Sequence, residues 1–111
     1  MFRTLSGYRI MWMMVMFDLP VLTEAERKAA TRFRHFLLDH GFEMSQFSVY
    51  LRWCSGKEQV ERYAKEIQDN LPPAGRVNVL TFTDKQYANM ICFTGGARGP
   101  KPENPGQLAL F

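Results

Sequence analysis

The chain has 111 residues, 46% hydrophobic and 23% charged, a composition that excludes a disordered or low-complexity protein and fits one domain with its own core. Its two cysteines, Cys54 and Cys92, belong to no CxxC pair, so no zinc site or disulfide framework is expected and both read as small core residues. The formal net charge of +3 is mildly basic and on its own only weak support for a polyanionic partner.

Residues 1–10 read as a polar N-terminal extension. The apolar run that follows, Met11-Trp12-Met13-Met14-Val15-Met16-Phe17, has the continuous character of a strand covered on both faces, and so of a central strand. It passes directly into Asp18-Leu19-Pro20 without a small-residue cleavage site, unlike a secretory signal. It is also far shorter than the ~20 residues that span a bilayer. A cytoplasmic protein with no membrane partner is the expectation. Pro20 cannot donate to a ladder and ends the strand.

Thr23-Glu24-Ala25-Glu26 has the form of a capping box and predicts a helix over residues 24–40. Ala29, Phe33, Phe36, Leu37 and His40 share one face at helical spacing, and Gly41 is the expected left-handed stop. Residues 45–53 alternate as a half-buried strand. Ser55-Gly56-Lys57-Glu58 resembles a second capping box, opening a helix with Val60, Tyr63, Ala64, Ile67 and Leu71 on its apolar stripe and Pro72-Pro73 as its stop. Strands are expected over residues 76–83 and 89–93.

These elements are assigned to an α+β, ferredoxin-like β-α-β-β-α-β arrangement over residues 11–93, an antiparallel sheet with two helices on one face. Residues 94–106, rich in Gly and Pro, read as a linker. The apolar Gln107-Leu108-Ala109-Leu110-Phe111 reads as a docking strand that adds to a sheet edge, its own or a partner's.

Two features carry chemistry. Asp18, at the carboxyl end of the central strand, is a candidate ligand for a hard divalent ion such as Mg²⁺. One carboxylate builds no strong site, and an Asp before Pro20 commonly serves as a turn residue; the residue types alone favour that plainer role. A two-fold axis that brought a second Asp18 nearby would change the balance, because two like charges favour a bound cation or a shared proton. The second feature is the polar face of the first helix. At 100° per residue, Arg27, Thr31 and Arg34 lie opposite the apolar stripe, with Lys28 and His35 beside them and Arg32 nearer the edge. Such a face can grip phosphates without reading sequence, and it can equally be an ordinary solvated surface. Arg52, Arg76, Arg98 and Lys101 are candidates to extend the track. His35 and His40 are five apart and form no ligand pair, and no Gly-rich phosphate loop or nucleophile elbow occurs.

The ordered set Val15-Met16-Phe17-Asp18-Leu19-Pro20, Phe36-Leu37 with Gly41-Phe42, Gln46-Phe47-Ser48-Val49-Tyr50, Pro72-Pro73-Ala74-Gly75-Arg76-Val77 and Leu80-Thr81-Phe82-Thr83-Asp84-Lys85-Gln86-Tyr87 resembles the CRISPR-associated protein two family, in particular its members from type II systems. The resemblance implies a homodimer that bridges dimers of the CRISPR integrase and grips double-stranded DNA during spacer acquisition. Phosphate contacts would come from Arg27, Lys28, Arg32, Arg34, Arg76 and Arg98. It also implies a second activity described for family members: Mg²⁺-dependent endonuclease cleavage of single-stranded RNA or duplex DNA, with Asp18 from each subunit as catalytic residue and metal ligand. A third reading is a stand-alone, toxin-like ferredoxin-fold protein without an integrase partner. The family usually begins close to its first strand, whereas residues 1–9 precede it here.

Overall fold

A computed structural model describes residues 10–99; the extension 1–9 and residues 100–111, with the expected docking strand and Lys101, lie outside the described residues. The order is β1(Met11–Asp18), α1(Glu24–Asp39), β2(Glu43–Gln46), β3(Val49–Cys54), α2(Lys57–Asp69), β4(Arg76–Thr83), α3(Asp84–Ala88), β5(Cys92–Thr94) and β6(Ala97–Gly99). The first four strands form an antiparallel sheet in the order β2-β3-β1-β4. This is the ferredoxin-like arrangement, and β1 is indeed a central strand.

Both faces of β1 are occupied. Met13 and Val15 join Phe33 and Leu37 of α1, Tyr50 and Cys54 of β3, and Tyr63 and Ile67 of α2 in one buried cluster, so both long helices cover the same side of the sheet. Trp12, on the opposite face, is buried with Leu51 and Tyr87, with Met14 and Phe82 packed against them. The indole Nε1 donates to Asp84 Oδ1 at 2.9 Å and the Trp12 ring stacks on Tyr87 at 4.3 Å, which fixes α3 against one end of the open face.

Helix α1 starts as its sequence indicates. Thr23 accepts from the Glu26 N–H at 3.1 Å and the Glu26 carboxylate accepts from the Thr23 N–H at 3.0 Å, a reciprocal cap of the kind that contributes about 1 kcal/mol. It ends at Gly41, with φ of +84°. There the Phe42 N–H reaches back to the Leu37 carbonyl at 3.0 Å, and a side chain at position 41 would strike the Arg52 guanidinium. His40 then ties the two helices together: Nδ1 lies 2.8 Å from the Phe36 carbonyl and Nε2 lies 2.8 Å from Glu66 Oε1.

Four expectations are corrected. Residues 45–53 are not one strand but the hairpin β2–β3, turned at Phe47 and Ser48 with Ser48 at φ of +62°. The alternating pattern runs on through the turn, so periodicity could not mark it. This hairpin supplies the second of two consecutive strands that the β-α-β-β-α-β order requires. The expected box at Ser55 is absent: Gly56 is the N-cap without a side-chain bond, and the Ser55 N–H donates instead to Gln59 Oε1 at 2.9 Å. A box does occur at Thr83, which exchanges bonds with Gln86 and opens α3. That short helix takes up most of the stretch before the expected 89–93 strand, whose remnant is β5. β5 pairs with β6 in a separate two-stranded hairpin, so the first part of the expected linker is extended structure.

Leu37 is fully buried whereas Leu38, its neighbour, is half exposed. Leu37→Ala is therefore expected to cost about 2–4 kcal/mol in denaturant unfolding and Leu38→Ala under ~1 kcal/mol. Cys54 is buried and free, and burial raises its thiol pKa against the opposing pull of Arg52. It is expected to resist a thiol reagent in the native protein and to react at the rate of unfolding, with Cys92 labelling first.

Candidate functional site

The parity of β1 decides where its carboxylate goes. Residues 13, 15 and 17 face the helices, so Trp12, Met14, Met16 and Asp18 face the other side of the sheet. Antiparallel partners share a face, and Asp18 stands directly opposite Arg76 at the start of β4. Both side chains are exposed. Among the described residues neither has an ion-pair or hydrogen-bond partner. They border a shallow cleft of about 280 Å³ whose other lining residues are Met16, Phe17, Phe47, Ser48, Val49 and Asn78. Among the described residues Asp18 and Arg76 are the only charged side chains in that lining.

Gly75 holds this arrangement. Its φ is +98°, and a Cβ there would lie 2.8 Å from the Asp18 carbonyl oxygen and 3.0 Å from Leu19 Cα. Only glycine lets the turn before β4 approach the end of β1 so closely. The sequence gave no sign of this contact. Ser48 and Asn78 were also missed. Alternation from Arg76 through Asn78 and Leu80 would have put Asn78 beside it, whereas Ser48 was hidden in the misread hairpin.

The six cations expected to hold phosphates do not form one stripe. Arg27 is occupied locally: its Nη1 donates to the Val21 and Leu22 carbonyls, both at 3.1 Å. Lys28 makes an exposed pair with Glu24 at 3.6 Å, a contact of little energy. Arg32 and Arg34 lie on opposite flanks of α1. Arg32 borders a depression with Asn70, Leu71 and Pro72. Arg34 borders an apolar cavity of about 630 Å³ between α1 and the β2–β3 hairpin. Burial pushes the Tyr50 phenol up, and the Arg34 guanidinium pulls it partly back. That cavity and the Asp18 cleft share Phe17, Phe47 and Ser48, so Arg34, Arg76 and Asp18 surround one end of the molecule. Arg98 falls on β6, where only the backbone is described. Arg52 is structural: its Nη1 donates to the His40 carbonyl at 2.9 Å and its guanidinium lies over the Tyr63 ring at 4.2 Å.

Among the described residues no group of three or more His, Cys, Asp or Glu could hold a metal ion. Mg²⁺, however, takes one or two carboxylates and completes its shell with water and substrate phosphates. Asp18, exposed beside a polar Ser48 and Asn78, fits that mode when a second carboxylate or a phosphate is supplied from outside the chain.

The open face is apolar at its centre. Met14, Met16 and Val49 are half-buried, and Leu80 is 51% exposed and Trp53 55% exposed. Among the described residues no helix is long and apolar enough to cross a membrane.

A ferredoxin-like sheet whose second face is apolar and partly uncovered among the described residues, with a carboxylate at the end of its central strand, defines a class of small α+β proteins. Residues 11–90 match the family described as CRISPR associated protein Cas2, and the chain belongs to that family. It is 56% identical over 107 residues to the CRISPR-associated endoribonuclease Cas2 of Paracidovorax avenae, covering 96% of this chain and 99% of the relative. It is 43% identical to the protein of the same description from Flavobacterium psychrophilum, over 99% and 96% of the two chains. The Streptococcus mutans relative, likewise so described, is 42% identical over 91% and 92%.

Gly75→Ala is expected to lower stability by about 1–2 kcal/mol and to shift backbone amide resonances most strongly at positions 18 and 19. Shifts centred elsewhere would mean that the turn does not hold the end of β1.

Proposed function

We propose that the protein is a homodimeric scaffold of CRISPR spacer acquisition, which bridges integrase subunits and grips the phosphates of double-stranded DNA. The observation that carries this reading is the apolar centre of the sheet face, which the described residues leave uncovered. A second copy laid on it would cover Met14, Met16, Val49 and Leu80, and sheets stack face to face at ~10 Å. Arg34 and Arg76, with Arg32 on the far flank of α1, would supply phosphate contacts that orient a duplex without reading its bases. Arg27 is a poor candidate because two carbonyls hold its guanidinium, and Lys28 contributes only after releasing Glu24. Family membership and the relatives' designation as CRISPR-associated proteins support a role in the CRISPR system.

The position of Asp18 favours a second reading alongside the first, a Mg²⁺-dependent endonuclease acting on single-stranded RNA or duplex DNA. Asp18 lies on the same face as the apolar patch, so stacking two copies would bring two carboxylates to one interface. A divalent ion held there would neutralise a phosphate and make its coordinated water more acidic. In this chain Asp18 would hold the ion, and the polar side chains of Ser48 and Asn78 would line the approach. The relatives' description as endoribonucleases is consistent with this reading. No other described carboxylate lines the cleft to act as general base, so the scaffold role stands first.

Leu80→Glu puts a charge at the centre of the stacked face and is expected to convert the dimer to monomer in sedimentation equilibrium while leaving the circular dichroism of the fold unchanged. An unaltered dimer would reject the sheet-face interface. The double variant Arg32→Ala/Arg34→Ala is expected to reduce the slope of log binding constant against log salt for duplex DNA by about 1–2. An unchanged slope would assign the phosphates to another surface. Asp18→Asn is expected to abolish any metal-dependent cleavage and preserve the dimer; equal cleavage by both proteins would remove Asp18 from the reaction.

A further inference from the structure

We propose that Arg76 makes metal binding at Asp18 conditional on a bound phosphate. This rests on the second reading above, that Asp18 takes a divalent ion. Asp18 and Arg76 are directly opposed in the β1–β4 register, so their side chains leave the same face of the sheet with β-carbons ~5 Å apart. Among the described residues they are the only charged groups lining the cleft, and neither is engaged by any other group. Gly75, by its close approach to the Asp18 carbonyl and to Leu19, keeps Arg76 at that position.

The signs of the charges give the consequence. A lone Asp18 carboxylate attracts a dication, but the guanidinium a few ångströms away repels it and offers the carboxylate a competing partner. Among the described residues the charges lining the cleft balance, one carboxylate against one guanidinium. A phosphodiester entering the cleft offers Arg76 a better, bidentate partner. The guanidinium turns to the phosphate, Asp18 is left free, and the phosphate oxygens supply the remaining acceptors that a hard ion requires. Metal and phosphate therefore bind with positive cooperativity, and linkage makes the effect reciprocal. The same argument holds for each site of a dimer, since each copy brings its own Arg76 with its Asp18. Arg76 is thus a positioning residue that acts through Asp18 and through the phosphate.

The test is a Mn²⁺ titration of the full chain followed by electron paramagnetic resonance of the free ion, with and without a short phosphorothioate DNA duplex. Asp18→Asn with the same duplex gives the background from ions bound to DNA alone. For the wild type, the duplex is expected to tighten the Asp18-dependent Mn²⁺ binding by about five- to tenfold, from the Coulomb cost of one neighbouring cation. Arg76→Gln is expected to bind Mn²⁺ more tightly than the wild type without duplex, and to keep only the part of the coupling that the phosphate oxygens supply directly. Arg76→Lys, which keeps the charge, is expected to retain weak binding in the absence of duplex. If Asp18→Asn leaves Mn²⁺ binding unchanged, the metal reading itself fails, and the dependent role of Arg76 falls with it. If Asp18→Asn removes the binding but Arg76→Gln shows wild-type affinity and wild-type coupling, the role of Arg76 is overturned while the metal reading stands.

Discussion

The structure depends on β1 being apolar on both faces and hydrogen-bonded on both edges. Met11–Met16 pair with β3 on one side, and all eight residues pair with β4 on the other. The two-residue period of a strand then leaves no freedom: once Met13 and Val15 are in the helix-covered core, Asp18 must emerge on the other face. A one-residue slip would bury a carboxylate under α1 and expose Met13, a change that costs several kcal/mol through both terms. The hydrophobic core thus sets the position of the carboxylate as strictly as it sets the fold.

The same constraint divides the work between the two faces. The helix side is closed by Phe33, Leu37, Tyr63 and Ile67, with Arg52, His40 and Glu66 bracing α1 against α2 and β3. The other side is sealed only at one end, by Trp12, Tyr87 and Phe82. Its centre and its Asp18 end remain open among the described residues. Among these residues the two long helices lie on one side of the four-stranded sheet and only α3 reaches the other, and this is why the scaffold reading begins from the sheet face. The Asp18–Arg76 pair then connects that face to phosphate chemistry, since a strand partner that is a cation changes what a lone carboxylate can bind.

Much of this was legible in the residues. The continuous apolar run announced a central strand, the Thr23 box and Gly41 bounded the first helix, and the ordered motif set pointed to the family. The hairpin at Phe47–Ser48 was not legible, because alternation does not stop at a tight turn and neither residue is a typical turn former at its site. The box at Ser55 was a false positive: the spacing fits, but Gly56 takes the cap and Gln59 captures the Ser55 amide. Among the candidate phosphate ligands, a helical wheel could place Arg27 on the outer face but could not show that its guanidinium folds back on Val21 and Leu22. The wheel likewise could not show that Arg32 and Arg34 face different neighbours. The role of Gly75 comes from a long-range contact between a turn and a strand end, which no local pattern encodes.

The central claim, that two copies meet through the open face and bring their Asp18 positions together, is tested most directly by a distance. A nitroxide attached at Asp18→Cys, in a chain whose Cys54 and Cys92 are replaced, reports the separation between subunits by electron paramagnetic resonance. Face-to-face stacking requires strong dipolar coupling at a separation of the order of the ~10 Å between packed sheets plus the label arms. Absence of coupling in a sample that sediments as a dimer would contradict the account, because the two copies would then meet through another surface and Asp18 would act alone.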